Sequence, residues 1–261
     1  MRSYLLLAAV MVCCFMACQK EPDATLLTPT ACKLDKIVYF DSNDPVDTVG
    51  FEYTGDKASK VNYSDYYTQL EYAGTRVIKR NYFEKGGTEI LAFDEFTYNP
   101  DSTISRVDFY LVDPSLPQPF LFFQYDFTYN GGRLSMLQTK VDTSGNGPEA
   151  VSESYFIYSG NNISQVQQRD LINQAADTLN YTFDTKLNYF SKQPNLWLSD
   201  NLFADFDGFL IPFALSSNNV VTVGDTQNNT SDVTYEETEK QDIKTLTFDG
   251  ELWARYSYKC Q

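Results

Sequence analysis

Over most of its length the chain repeats a short unit of alternating hydrophobic and polar positions. In each unit an apolar or aromatic residue, a spacer and an aromatic residue precede a turn, and a second alternating segment follows the turn. The six units are FEYTGDKASKV from Phe51, LEYAGTRVIKR from Leu70, FTYNPDSTISRV from Phe96, FTYNGGRLSML from Phe127, FIYSGNNISQV from Phe156 and YTFDTKLNY from Tyr181. Alternation on both sides of a Gly, Asn or Asp turn is typical of a β-hairpin. The pattern therefore predicts an all-β, antiparallel up-and-down meander.

The spacing of the aromatic residues predicts the sheet face that they occupy. Phe127 and Tyr129 stand two positions apart, so both side chains point to the same face while Thr128 points to the other. One face should carry rings, and the opposite face should carry polar residues such as Glu52, Lys60 and Gln165. The main interpretation is that the rings form the core. The alternative is that some tyrosines line a groove for a sugar or another flat ligand.

The hairpin pattern stops between residues 187 and 219. This stretch contains Pro194, Trp197 and apolar residues at mixed spacing, which favours one or two short helices beginning after Pro194. Such an insertion would plug an open end or cover one face, because bare apolar surface is unfavourable in water. We also expect it to form the rim of a site. Strands are predicted to resume at Asn219 and to continue through 232–237, 243–248 and 252–258.

The N-terminus resembles the signal of bacterial lipoproteins. Arg2 precedes a short apolar stretch, and a small residue, Ala17, precedes Cys18. The resemblance implies cleavage before Cys18, lipidation of that residue, and three segments: a signal peptide (1–17), a lipidated linker (18–31) and a single β-domain (32–261). Residues 19–23 are similar to the export signal of surface lipoproteins of the Bacteroidetes. This favours the outer membrane and the cell surface; a plain linker on the periplasmic leaflet is the alternative.

The cysteines favour an oxidising compartment. Of five, Cys13 and Cys14 leave with the signal peptide and Cys18 receives lipid, so Cys32 and Cys260 remain in the folded domain. Two such thiols are expected to pair in an exported protein; two unpaired thiols at frayed ends are the alternative. A disulfide brings the α-carbons to about 5.5 Å. The first strand, near 33–40, should therefore lie beside the last, near 252–259, as closing a sheet into a barrel requires.

Composition excludes several kinds of chemistry. The chain contains no histidine, which removes Ser-His-Asp sites and imidazole metal centres. A net charge of −15 argues against nucleic-acid binding. Residues 41–52 resemble a calcium loop only in part, since Pro45 replaces a ligand and Val46 replaces the required glycine. We predict no metal, no cofactor and no catalytic residue.

Three triplets are similar to the O-glycosylation site of exported Bacteroidetes proteins. They begin at Asp47, Asp101 and Asp177, and their acceptor hydroxyls would be those of Thr48, Ser102 and Thr178. If these residues are modified, they mark exposed positions.

The hairpins with turns such as YNGGRLS and YSGNNIS, and the later segments DTKLNYF and LSSNNVV, resemble a family of Bacteroidetes lipoproteins of unknown function with a porin-like barrel. The resemblance implies an all-β, barrel-like fold, and we expect a barrel or a strongly curled, barrel-like sheet of about fourteen to sixteen strands. It implies no activity. We expect an exported lipoprotein, held to the membrane through Cys18, that binds a ligand or partner such as a glycan or an outer-membrane protein. A carboxylate-dependent glycan hydrolase and a purely structural envelope protein are the alternatives.

Overall fold

The computed structural model describes residues 32–143, 145–188, 190, 211–239 and 242–259. These residues form sixteen strands and one short helix. The elements are β1 (Lys33–Asp41), β2 (Asp44–Thr54), β3 (Lys57–Asn62), β4 (Tyr66–Ala73), β5 (Arg76–Glu84), β6 (Ile90–Tyr98), β7 (Ile104–Leu111), β8 (Phe120–Asn130), β9 (Arg133–Val141), β10 (Glu149–Ser159), β11 (Asn162–Asp170), β12 (Ala176–Leu187), α1 (Ile211–Leu215), β13 (Asn218–Gly224), β14 (Thr230–Glu237), β15 (Ile243–Phe248) and β16 (Glu251–Lys259). Residues Leu34–Ser257 form one compact unit, which contains the body of the barrel.

The strands make a closed antiparallel barrel in simple sequence order. Each strand pairs with the next, and β16 lies beside β1. At this closure the Ser257 hydroxyl donates to the Lys36 carbonyl at 3.3 Å, and the rings of Tyr39 and Trp253 meet at 5.3 Å. The predicted all-β barrel and the adjacency of first and last strands are confirmed. Cys32 is buried, but Cys260 lies outside the described residues, so their disulfide stays a prediction.

Five of the six repeated units form hairpins that share a β-bulge. The register shifts by one residue just before the second aromatic of each unit, which leaves one residue unpaired on the returning strand. The unpaired residues are Ser59, Ile78, Ser105, Ser135 and Ser164. The Ser135 hydroxyl donates to the Thr128 carbonyl at 3.0 Å, so serine supplies a hydrogen bond where the bulge interrupts the ladder. Bulges increase the local twist of a strand and thereby help the sheet to curl.

The two ends of the barrel differ in their connections. One end, here called the turn end, carries the tight turns of the repeated units, in which Gly55 and Gly131 adopt positive φ angles of 59°. The opposite end, here called the loop end, carries the connections after the odd-numbered strands, including the long ones at 112–119 and 142–148. Strand β1 enters the barrel at the turn end.

The buried face of the strands is the interior of the closed barrel. Val61, Val77, Val107, Ile163 and Val166 are at most 1% exposed, and they share a face with the aromatic residues of the repeated units. The predicted one-sided pattern is therefore confirmed for the repeats.

The outward positions of β2, β3, β4, β6 and β11 include Glu52, Lys60, Glu71, Glu95 and Gln165. A membrane barrel instead needs an apolar outward band, so these positions have the polarity of a water-exposed surface. In the described part of the chain, no helix has the length and apolarity needed to cross a membrane.

The insertion between β12 and β13 contributes a short helix to the interior. Phe213 of α1 is buried, and its ring lies 6.5 Å from Tyr181 and 6.0 Å from Phe248. The Asn188 amide holds the helix by donating to the carbonyls of Phe213 and Ser216, each at 2.7 Å. A short helix in this insertion is confirmed; a helix beginning after Pro194 would fall outside the described residues.

Candidate ligand-binding cleft

A cleft of about 530 Å³ opens on the outer face of β2, β3 and β4 near the loop end. It is lined by Thr48, Gly50, Lys60, Asn62, Tyr63, Ser64, Tyr66, Tyr67, Lys85, Gly86 and Gly87. Gly50 contributes to the floor opposite Asn62, and a Cβ added there would meet the Asn62 Cβ at 4.0 Å. The absence of a side chain therefore keeps this position open. The volume is in the range of small-molecule sites, about 300–1,000 Å³.

Tyr67 forms a fixed wall of the cleft. Its ring stacks on Phe83 with centroids 4.8 Å apart, and the Lys60 ammonium lies over the ring at 4.3 Å from its centroid. Its hydroxyl donates to the Gly87 carbonyl at 2.9 Å. The ring is thus held by three neighbours, because both its π surface and its hydroxyl are already in contact with the protein.

A second wall comes from the connection between β3 and β4. Tyr63 and Tyr66 stack with centroids 4.3 Å apart, and the Tyr63 amide donates to the Tyr66 carbonyl at 2.9 Å. The neighbouring β5–β6 connection is equally constrained, since a Cβ on Gly87 would come within 3.2 Å of the Glu84 carbonyl oxygen. Both connections are therefore shaped by local contacts that hold the cleft open.

Two lysines supply the charge of the cleft. The Lys60 ammonium lies 3.6 Å from Glu52, whose carboxylate also accepts a hydrogen bond from the Asn62 amide at 2.8 Å. The Lys85 ammonium donates to the Ser64 carbonyl at 2.8 Å. Within the described part of the chain, Lys85 makes no ion pair. None of the residues that line the cleft is acidic, so the cleft is a basic site on an acidic protein.

Inside the barrel, toward the loop end, aromatic side chains form a continuous wall. Tyr66, Tyr82, Phe109 and Phe123 follow one another with centroid distances of 6.2, 5.7 and 6.1 Å. Ala92 lies on the intervening strand opposite Tyr82, and its small side chain lets Tyr82 and Phe109 meet across β6. These rings are half-buried, whereas the aliphatic residues toward the turn end are fully enclosed.

A buried ion pair lies against this wall. Arg80 Nε donates to Asp94 Oδ2 at 2.6 Å, and the Tyr82 hydroxyl donates to the same oxygen at 2.9 Å. The side chains of the pair are 3% and 4% exposed. Burial acts to lower the pKa of Arg80, but the attraction of Asp94 outweighs it and raises the pKa. The Arg80 guanidinium therefore stays charged in the interior.

The outer-face carboxylates of β7 and β8 have opposite pKa shifts. Burial raises the pKa of Asp108. Burial also acts on Asp126, but hydrogen bonds from Lys140, Gln124 and Arg106 outweigh it and lower that pKa. A hydrolase needs an acid and a base in a water-accessible cleft; these two residues do not line the cleft described above, and Asp126 is occupied by its three donors.

The residues singled out by sequence do not converge on one site. Thr48 is exposed and lines the cleft, Ser102 lies in the β6–β7 turn with a φ of 77°, and Thr178 is half-buried in β12. Cys18 lies outside the described residues. Glycosylation and lipidation therefore stay predictions, and most of the insertion expected to form a site rim also lies outside the described residues.

Sequence reasoning placed Lys60 on the outer face but missed the cleft. The cleft is assembled from residues that are distant in sequence and meet only after the strands pair: Gly50 of β2, Asn62 of β3 and Lys85 of the β5–β6 connection. The detectable signals were a glycine interrupting the alternation of β2 and the Gly86-Gly87 pair after β5. The expected purely polar outer face was also incomplete, because Tyr67, Phe83, Phe93 and Tyr110 form stacked pairs there.

The architecture defines a sixteen-stranded antiparallel barrel with an aliphatic and aromatic interior. It is similar to the crystal structure of a porin-like protein from Bacteroides uniformis, with a TM-score of 0.54, 13% identity and coverage of 87% of this chain and 96% of that one. It is also similar to a porin-like protein from Bacteroides vulgatus, with a TM-score of 0.53, 10% identity and coverage of 88% and 99%. At this identity the likeness concerns the fold. No protein-family model matches the chain, and no curated protein matches it.

Proposed function

We propose that this protein is an exported, lipid-anchored binding protein of the cell surface, and that the outer-face cleft takes a glycan. The observation that carries the proposal is the cleft itself: about 530 Å³, with fixed walls, an open glycine position and polar groups from neighbouring strands and two connections. Hydroxyl-rich ligands need converging donors and acceptors, and Thr48, Asn62 and Ser64 provide them beside two lysines.

The position of the cleft fits a surface role. Lipid at Cys18 would precede β1, which enters the barrel at the turn end, while the cleft lies toward the loop end. The polar outer face of the hairpins is compatible with water around the barrel, so the anchor rather than the strands would hold the protein to the membrane.

The two alternatives have less support. A carboxylate-dependent hydrolase would require a pair of acids, and the lining of this cleft holds none. A purely structural protein would not need an open, constrained cleft.

Ligand binding is tested with the detergent-solubilised full chain on an array of bacterial, plant and host oligosaccharides. Gly50→Val should fill the floor and weaken binding by more than about tenfold, because valine suits a strand but projects into the cleft. Thr182→Val, on the outer face of β12, is the matched control and should bind as the wild type does. Equal binding by both variants, or no binding by the wild type, contradicts the proposed site.

Anchoring is tested separately in cells. Cys18→Ala should abolish incorporation of a labelled fatty acid and release the protein from the membrane fraction. External protease should reach the wild-type protein on intact cells if it lies on the surface. Protection until the cells are opened would place it on the periplasmic leaflet.

A further inference from the structure

We propose that the ligand of the cleft is an anionic saccharide, whose carboxylate or sulfate group is bound by Lys60 and Lys85. This inference rests on the proposed function, since it names the class of glycan that the same cleft would select.

The Lys60 ammonium is held in position without using its hydrogen-bond donors. An ammonium has three N–H donors, yet in the described part of the chain Lys60 donates no hydrogen bond. Its contact with Glu52, at 3.6 Å, is an ion pair beyond ordinary hydrogen-bond length. The Tyr67 ring, at 4.3 Å, holds the ammonium through a cation–π contact that uses no acceptor oxygen. The group is positioned by its neighbours while its donors remain available.

Lys85 extends the same surface from another connection. One of its donors goes to the Ser64 carbonyl at 2.8 Å, which fixes the ammonium and leaves two donors. Described cations with carboxylate partners show the contrast: Lys60 with Glu52, Lys79 with Glu95, Arg80 with Asp94, Arg106 and Lys140 with Asp126, Lys186 with Glu237, and Lys244 with Glu236. Lys85 has a backbone carbonyl in place of a carboxylate, so its charge is not neutralised locally.

The net negative charge of the chain makes a locally basic cleft selective for anions. With 35 acidic and 20 basic residues and a net charge of −15, the protein repels anions in general. An anion would bind where cations outnumber acids; the lining of the cleft contains two lysines and no acid, and Glu52 stands beside Lys60 at 3.6 Å. Electrostatic complementarity of this kind selects the ligand more strongly than it raises affinity.

The walls favour an anion over a neutral sugar. A neutral sugar ring is commonly bound by stacking on an open aromatic face, but Tyr67 is stacked on Phe83 and covered by Lys60, and Tyr63 is stacked on Tyr66. The groups left for the ligand are mainly donors: the two ammoniums, the second N–H of the Asn62 amide and the Thr48 hydroxyl. Carboxylate and sulfate oxygens are the acceptors that match them.

The decisive experiment compares ligands that differ only in charge. Trigalacturonate, its methyl ester and a sulfated disaccharide are titrated calorimetrically into the detergent-solubilised full chain. We expect an anionic probe to bind at least about tenfold more tightly than the ester, with affinity falling as salt increases. Tighter binding of the carboxylated or of the sulfated probe identifies the source of the anion.

Variants assign the effect to the two lysines. Lys60→Gln and Lys85→Gln should each weaken binding of the anionic probe by about tenfold, while Lys244→Gln, an exposed lysine on β15, should leave it unchanged. Equal binding of acid and ester, or full binding by both cleft variants, would overturn the anion inference and leave glycan binding standing. If no saccharide, charged or neutral, binds the wild type, both this inference and the proposed function fail.

Discussion

The two ends of the barrel use the same strands for different purposes. Toward the turn end the interior is tightly packed, and Val77 and Ile163 are completely enclosed beside the buried rings of the repeated units. Toward the loop end the interior is aromatic and half-buried, and it contains the Arg80–Asp94 pair. The turn end has the regular packing expected of a stability core, whereas the loop end has the irregular connections from which the cleft is built.

Repetition explains the regularity of the turn end. In three units the second aromatic donates to the preceding strand: Tyr53 to the Leu34 carbonyl at 2.9 Å, Tyr72 to the Ala58 carbonyl at 2.6 Å and Tyr98 to the Val77 carbonyl at 2.6 Å. Basic residues link neighbouring turns as well, since Arg133 donates to the Gly160 carbonyl at 2.6 Å. These hydrogen bonds link adjacent strands and turns, so the repeated motif helps to stabilise the turn end.

The largest effect on stability is expected from breaking the buried Arg80–Asp94 ion pair, which lies toward the loop end. Arg80→Ala leaves Asp94 buried without its partner and should lower the free energy of unfolding by about 3–5 kcal/mol. Urea denaturation of the variant and the wild type measures the change.

The double variant Arg80→Met/Asp94→Leu is the control, because it removes both charges and keeps apolar volume. It should recover most of the loss. A small loss of stability in Arg80→Ala alone would show that the interior tolerates an unpaired Asp94 charge. This part of the barrel would then be more hydrated than its burial indicates.

A somewhat smaller loss of stability is expected from truncating an enclosed aliphatic side chain of the core. Leu137 is 1% exposed, so Leu137→Ala should cost about 2–5 kcal/mol through lost burial and a residual cavity. Leu116, at 48% exposure in the β7–β8 connection, is chemically matched, and Leu116→Ala should change stability by less than about 0.5 kcal/mol. Similar losses at the two positions would contradict the division into an enclosed and an open half.

The sequence predicts the regular hairpins of the barrel better than it predicts the cleft and the buried ion pair. The strands at 243–248 and near 252–259, the inward rings of the repeats and the adjacency of first and last strands all follow from local alternation and from pairing in order. The cleft does not, because Gly50 and Asn62 lie on different strands and Lys85 lies in the β5–β6 connection, so that their meeting depends on register. The Arg80–Asp94 pair was missed for a similar reason: each residue reads as an ordinary polar position until bulges set the register that turns both inward.

The smallest effect concerns the tyrosines of the turn end. Tyr98→Phe removes the hydroxyl that donates to Val77 and should lower the free energy of unfolding by about 1 kcal/mol at neutral pH. Tyr110→Phe, on the outer face, serves as the control and should have a smaller effect.

The pH dependence of the stability difference between the wild type and Tyr98→Phe tests whether the Tyr98 hydroxyl causes it. Burial raises the pKa of Tyr98 to about 12, with a smaller opposing effect of Arg76, and burial likewise raises the pKa of Tyr53, Tyr72 and Tyr129 to about 12. Because the folded pKa exceeds the unfolded value of about 10, the contribution of each phenol is complete below pH 10 and is lost as pH rises through about 12. The stability gap between the wild type and Tyr98→Phe, followed by urea denaturation at increasing pH, should therefore narrow over this interval. A gap that stays constant would mean that Tyr98 ionises equally in the folded and unfolded chains, so that neither its burial nor its hydrogen bond holds the proton at the turn end.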